Sequence, residues 1–394
     1  MKDSSPLGDA TRIIHNRRHV DAQGSPYSPL YNTTTYRFDR TSDLLDVIGG
    51  QGEGNLYTRW GSNPTIQELE QGLAQLESAE AALAFGSGMA AISATLLALG
   101  RQGIVCVGDL YGGTQELLKQ LQMLGIPVTV LLKEQQVELA QALTTPDMLV
   151  YCETPANPTL SILDIRELAT VAHAHGARLV VDNTFATPIN QQPLVLGADA
   201  VLHSASKYLG GHSDITAGAL MTSDACMRMV APWRKNLGQI IAPEVAALLA
   251  RSLRTLPLRV RQHNDNALAV AQAMKAHPRI RRVLYPGLPE CAGHALASRQ
   301  MNGFGGMLSI EVDGGFEEAA AVADNLQLFL LATSLGGVES LVSQPCATSH
   351  FALSVEERQQ RGISDGLLRL SVGLENADDL IRDLEQALAR VFGE

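Results

Sequence analysis

The chain has little of what announces export, a membrane or a nucleic acid. Its five cysteines, Cys106, Cys152, Cys226, Cys291 and Cys346, are scattered through 394 residues without a CxxC pair. That argues against a disulfide scaffold or zinc ribbon and suits the reduced, buried thiols of a cytosolic protein. No apolar run is long enough to span a bilayer, and Met1 to Pro6 lacks the apolar stretch of an export signal, so the cytoplasm is the expected location. Long Lys/Arg runs are missing too, and 30 Lys+Arg stand against 41 Asp+Glu, a formal charge of −11. Neither nucleic acid nor an anionic membrane is therefore the expected partner, whereas a small zwitterionic substrate is compatible. His173 and His175 lie two apart on a predicted helix and face different ways, so no metal is expected. A G-x-x-x-x-G-K-[ST] loop is absent, which removes a Walker-type nucleotide site.

What is present is a long α/β pattern. Residues 1–60 carry scattered Pro and Gly with little periodicity and read as an extended N-terminal arm. Residues 61–255 read as a large domain in which apolar strands (103–107, 126–132, 148–152, 177–182, 198–204 and 217–221) alternate with helices. That alternation predicts a mostly parallel sheet with helices on both faces. Helices are expected over 64–76 and from the Gly86 turn to Leu99, and a long helical region starts at Pro243. Residues 256–394 read as a smaller α+β domain, with strands at 307–312 and 367–372 and helices near 316–326 and 376–391.

The chemistry concentrates after the strand that begins at Ala198, in His203-Ser-Ala-Ser-Lys-Tyr-Leu-Gly-Gly-His212. A free lysine is a cation at neutral pH and becomes a nucleophile only where burial or a neighbouring cation lowers its pKa. Ser204 and Ser206 flank Lys207 with donors suited to phosphate oxygens, and Gly210-Gly211 lets the backbone approach a ligand. A carbonyl compound carrying a phosphate, such as pyridoxal phosphate, fits these features; a surface lysine in a turn is the plainer alternative. Asp182 closes the strand 177–182, where a carboxylate would keep a pyridine nitrogen protonated. Asn157 stands between Pro155 and Pro158, which fix its backbone, and Tyr111 follows a strand in a glycine-rich loop where it could stack on an aromatic ring and pass protons. Tyr57 and Arg59 offer a phenol and a guanidinium for a phosphate, and Arg369 a fork for a carboxylate, unless each is simply a surface residue.

Gly86-Ser-Gly88-Met89-Ala-Ala91 places backbone N–H groups at a helix start, where a phosphate can sit. It also matches the G-x-G-x-x-A fingerprint, with Asp109 near the position of a ribose-binding acid. A nicotinamide-dependent oxidoreductase is thus the alternative from a different class, and a catalytically silent binding protein is another.

Glu153-Thr-Pro-Ala-Asn-Pro, Val180-Val-Asp-Asn-Thr-Phe, Ser204-Ala-Ser-Lys-Tyr-Leu-Gly-Gly-His and Leu368-Arg-Leu-Ser-Val-Gly-Leu-Glu, in this order, resemble one family: the pyridoxal-phosphate enzymes of cysteine and methionine metabolism, with fold-type I architecture. The resemblance runs from about Tyr57 to the C-terminus. It implies Lys207 as the cofactor-linked lysine and proton shuttle, Asp182 on the pyridine nitrogen and Tyr111 as stacking group and second acid/base. It further implies Gly88, Met89, Ser204 and Ser206 on the phosphate, Asn157 on the ring hydroxyl, and Arg369 with Ser334 on the substrate carboxylate, with Asn157 and Tyr57 also contacting the substrate. Tyr57 and Arg59 would reach the cofactor of a neighbouring subunit, which implies a catalytic dimer, usually doubled to a tetramer.

The activity so implied is γ-elimination or γ-replacement on sulfur-containing or homoserine-derived amino acids. A γ-lyase releasing 2-oxobutyrate, ammonia and a thiol is favoured over a cystathionine γ-synthase or an O-acylhomoserine sulfhydrylase. Two positions depart from the family pattern. Thr333 precedes Ser334-Leu-Gly-Gly where cystathionine-handling members have Glu, and Gly113 follows Tyr111-Gly112 where many methionine γ-lyases have Cys.

Overall fold

The computed structural model describes residues 7–15 and 23–393; the Met1 to Pro6 segment lies outside them. The apolar runs become strands β1 (Ala81–Phe85), β2 (Ile104–Val107), β3 (Val128–Leu131), β4 (Leu149–Glu153), β5 (Arg178–Asp182), β6 (Ala200–Ser204) and β7 (Gly218–Thr222). They form one sheet in the order β1-β7-β6-β5-β4-β2-β3. The five strands from β3 to β6 pair parallel, while β7 runs antiparallel to both β6 and β1. Every residue of β2, β4 and β7 is buried, as strands covered on both faces must be.

Local signals set the helix ends. Helix Pro64–Leu76 starts at Asn63, whose side chain accepts from Thr65 N and Ile66 N, with Pro64 at the first position where no N–H is needed. Ile66, Leu69 and Leu73 are at most 1% exposed, and burying each contributes about 1.5–3 kcal/mol. Helix Gly88–Leu99 is apolar on nearly all sides because it is sandwiched between β6 and β7 and the helix Asp224–Asn236.

A second sheet, in the order β10-β11-β12-β9-β8, contains β8 (Ile280–Leu284), β9 (Met307–Val312), β10 (Leu330–Leu331), β11 (Leu341–Ser343) and β12 (Leu367–Ser371). Helices Phe316–Asn325 and Ala377–Phe392 pack together beside it. No helix of the described residues is long and apolar enough to cross a membrane. Among those residues no group of three or more His, Cys, Asp or Glu could hold a metal.

Three expectations differ in detail. The arm is not extended throughout: it holds helices Asp9–Ile14 and Thr41–Ile48, the second without one buried residue. The helical region after Pro243 is two helices, Pro243–Leu253 and Leu256–Ala276, because Pro257 has no N–H to continue the first and suits the first turn of the second. The run 126–132 gives only the short β3, an edge strand with Thr129 and Val130 exposed.

Candidate active site

The sheet delivers its reactive groups at the carboxyl ends of β4, β5 and β6, the place where open α/β sheets bind ligands. Lys207 lies three residues beyond β6, and its Nζ donates to Ser334 Oγ at 2.6 Å. Ser334 also offers its carbonyl to Arg369 Nη2 at 2.8 Å, and Arg369 Nη1 donates to Asn157 Oδ1 at 3.1 Å. Four residues named from the sequence thus form one hydrogen-bonded chain between the two sheets. Arg369 is on β12, with a strand on each side, and is only 7% exposed, so it is no solvated edge charge. Burial, and then the Arg369 guanidinium, lower the Lys207 amine to about 8. Burial likewise lowers Arg369, to about 10.

Glu153, which its local sequence does not single out, pairs in register with Asp182 across β4 and β5. Its Oε2 accepts the Tyr111 backbone N–H at 3.0 Å, and its Oε1 accepts from Tyr151 Oη at 3.1 Å and Thr114 Oγ1 at 3.4 Å. Burial, then the nearby Asp182, push the Glu153 carboxyl up to about 8. Burial also raises Asp182, opposed by its hydrogen bonds from Thr184 and by His203. The local signal was available, since Glu153 closes an apolar strand just as Asp182 does; the pairing that makes it matter is non-local.

Gly88 and Met89 open the helix behind the glycine turn. A Cβ at Gly88 would stand 2.8 Å from Ser204 Cβ, so only glycine lets the helix start this close to β6. First-turn N–H groups and the Ser204 hydroxyl, which makes no hydrogen bond among the described residues, form a donor set that fits a phosphate. Ser206 differs from expectation: its hydroxyl donates to Ala217 O at 3.2 Å and accepts from Ala217 N at 2.9 Å, so its single donor serves the loop. The glycine pair also has another use. Gly211 adopts φ +70° against Arg259, whose Nη1 donates to Tyr208 O at 2.7 Å.

Tyr111 borders this cluster, half-exposed, its ring against Gly113: a Cβ at Gly113 would lie 2.7 Å from Tyr111 Cε1 and 3.2 Å from Met89 Sδ. Tyr57 and Arg59 stand apart. Arg59 stacks on Tyr57 at 5.5 Å and donates to Lys235 O at 2.9 Å, and no described hydrogen bond or ring contact joins either residue to Lys207, Asp182 or Arg369. The nicotinamide reading fails on topology. A dinucleotide fold needs the strand before its glycine turn in the middle of a parallel sheet, whereas β1 is an antiparallel edge strand. Asp109 is bound to Arg361 at 3.2 Å.

The residues present fit pyridoxal phosphate: a partly buried lysine of lowered pKa, a carboxylate at a strand end, a helix-start donor set and a guanidinium close to the amine. Comparison with known proteins agrees. An L-methionine γ-lyase of Pseudomonas deceptionensis is 42% identical over 389 residues, covering 97% of each chain. A cystathionine γ-lyase of Bacillus subtilis is 41% identical over 97% of this chain and 99% of its own. The solved cystathionine γ-synthase of Xanthomonas oryzae pv. oryzae in complex with cystathionine superposes with a TM-score of 0.92 at 40% identity, covering 99% of this chain and 100% of that one. The family profile described as Cys/Met metabolism PLP-dependent enzyme matches residues 10–389, and the chain with its lysine-serine-arginine cluster belongs to that pyridoxal-phosphate-dependent family.

Proposed function

We propose that the protein catalyses γ-elimination from a sulfur-containing amino acid, breaking the C–S bond and consuming one water to give 2-oxobutyrate, ammonia and a thiol. The observation that carries this reading is the 2.6 Å contact between Lys207 Nζ and Ser334 Oγ, continued through Ser334 to Arg369. It supports an amine base held one residue from a guanidinium that can grip an α-carboxylate. When bound, pyridoxal phosphate supplies the electron sink that makes the α proton acidic.

In this reading Lys207 takes the α proton and then assists loss of a β proton, and Tyr111 protonates the leaving sulfur. Asp182 keeps a negative charge toward the pyridine nitrogen, and the Asn157 amide turns toward the ring hydroxyl. Gly88, Met89 and Ser204 donate to the phosphate, with Ser206 bracing the loop of Lys207. We assign 61–255 to the cofactor-binding domain, 256–394 to the small domain and 1–60 to the arm. The protein works in the cytoplasm as a dimer of dimers, with Tyr57 and Arg59 serving the neighbouring subunit's cofactor; their exposure and separation from Lys207 support this.

A γ-replacement on an O-acylhomoserine is the second reading, favoured by the likeness to the cystathionine γ-synthase structure. Elimination is preferred because Thr333, exposed beside Ser334, is neutral where the resemblance gives cystathionine-handling members a carboxylate. The test is Lys207→Ala. It is expected to lose both the visible absorption of lysine-linked cofactor and the release of keto acid; full activity in a colourless variant would overturn the assignment.

A further inference from the structure

Behind the site lies a buried acid that none of the roles above uses. Glu77, the first residue after helix Pro64–Leu76, is fully buried, and so are its neighbours Asn183 and His203. Its Oε1 accepts from His203 Nε2 at 2.7 Å and from Asn183 Nδ2 at 2.9 Å. Asn183 directly follows Asp182 at the end of β5, and His203 directly precedes Ser204 in β6. One carboxylate oxygen therefore ties together the neighbours of the group facing the pyridine nitrogen and the group facing the phosphate.

The hydrogen positions follow from the network. Asn183 Oδ1 accepts from Gln191 Nε2 at 2.9 Å, which fixes its amide so that Nδ2 faces Glu77 and Gln191 O. Glu77 Oε1 therefore accepts from Asn183, and as an ionised carboxylate it accepts from His203 Nε2 as well. Beyond Asn183 the chain continues, with Gln191 Nε2 donating to Thr154 O at 2.9 Å and Gln300 Nε2 to Gln191 Oε1 at 2.9 Å. Among the described residues Glu77 Oε2 and His203 Nδ1 have no partner. A buried acid and imidazole with unsatisfied atoms are less stable than an apolar pair of equal volume. Core packing alone does not explain them.

We propose that Glu77 is a positioning residue that sets the spacing between Asp182 and Ser204, and through it the seat of the cofactor. The proposal rests on the placing of Asp182 and Ser204 at the cofactor, not on which reaction follows. The test strips the holoenzyme and measures pyridoxal phosphate rebinding by visible absorbance and circular dichroism. Glu77→Ala is expected to weaken binding by about tenfold or more and to alter the bound cofactor's visible dichroism, the size set by losing a buried hydrogen-bonded acceptor. Glu77→Gln keeps an acceptor oxygen for Asn183 and His203 and is expected to restore both readouts to within about threefold.

Wild-type affinity and dichroism in Glu77→Ala, or no rescue in Glu77→Gln, would overturn the proposal. If Glu77→Ala does not fold, Asn183→Ala decides, since it removes the arm toward Asp182, together with the Asn183 bonds to Gln191, and leaves the Glu77–His203 contact in place. It is expected to bind roughly threefold or more weakly, and by more than Gln191→Ala, which removes the Asn183–Gln191 bonds but leaves the Glu77 contact; binding unchanged, or weakened no more than in Gln191→Ala, would again overturn the proposal. Asp182→Asn run in parallel separates the premises: unchanged cofactor affinity and spectrum there would remove the site reading itself, whatever Glu77 does.

Discussion

Lys207 is held by Ser334: its Nζ donates to Ser334 Oγ across 2.6 Å of space and 127 residues of chain. Ser334 adopts φ +83°, a left-handed backbone that costs a residue with a Cβ about 1–2 kcal/mol. Side chain and carbonyl of this one strained residue touch the amine and the guanidinium of the site. Ser334→Ala is expected to lower kcat roughly tenfold, the worth of one charge-assisted hydrogen bond, with a smaller change in KM. Steady-state kinetics check it, and an unchanged kcat would show that the contact does not position the amine.

The lowered pKa of Lys207 makes a prediction for the cofactor-free protein. The unfolded lysine keeps its proton up to about 10.4, while the folded one loses it near 8, so stability rises with pH between those values. The cost of burying the ammonium is fully present below pH 8. Lys207→Met should therefore be more stable than wild type at pH 7, by on the order of 3 kcal/mol, with the gap closing above pH 10. Urea denaturation at pH 7 and pH 10.5 measures it; a gap independent of pH would contradict the burial argument.

Glu153 carries the opposite sign. Raised to about 8 by burial and by Asp182, it holds a proton in the folded state that the unfolded chain releases near 4.3. Stability is therefore lost as pH rises through that window. In the cofactor-free protein, Glu153→Gln should gain in Tm relative to wild type between pH 5 and pH 9. Parallel Tm curves across that range would rule out the shifted carboxyl.

The proposed sharing of each active site between two subunits predicts complementation. Lys207→Ala and Arg59→Ala, each inactive or impaired alone, should regain roughly a quarter of wild-type activity after mixing and refolding, because half of the random dimers carry one intact site of two. No recovery in mixtures shown to contain hybrid dimers would place Arg59 outside the neighbouring subunit's site.

Much of this fold is written in local signals. The glycine turn and apolar run specify helix Gly88–Leu99 to the residue at its end, and alternation around Arg369 specifies β12. Lys207, Asp182 and Arg369 were readable as candidates because each is a charged group at or within an apolar strand pattern. What the pattern does not carry is register and distance. The side-by-side placing of Glu153 and Asp182 needs β4 and β5 aligned, and the use of Ser206 by Ala217 and of Gly211 by Arg259 needs loops folded back on themselves. Glu77 is the extreme case, a helix-end glutamate whose partners are 106 and 126 residues away.

The most direct measurement is 2-oxobutyrate release by the cofactor-loaded protein supplied with L-methionine, L-homocysteine, L-cystathionine or an O-acylhomoserine, each with and without L-cysteine. The account predicts keto acid from a thioether or thiol substrate in the absence of cysteine. Turnover of the acylhomoserine alone, diverted by cysteine to cystathionine, would contradict it and make the protein a γ-replacement enzyme.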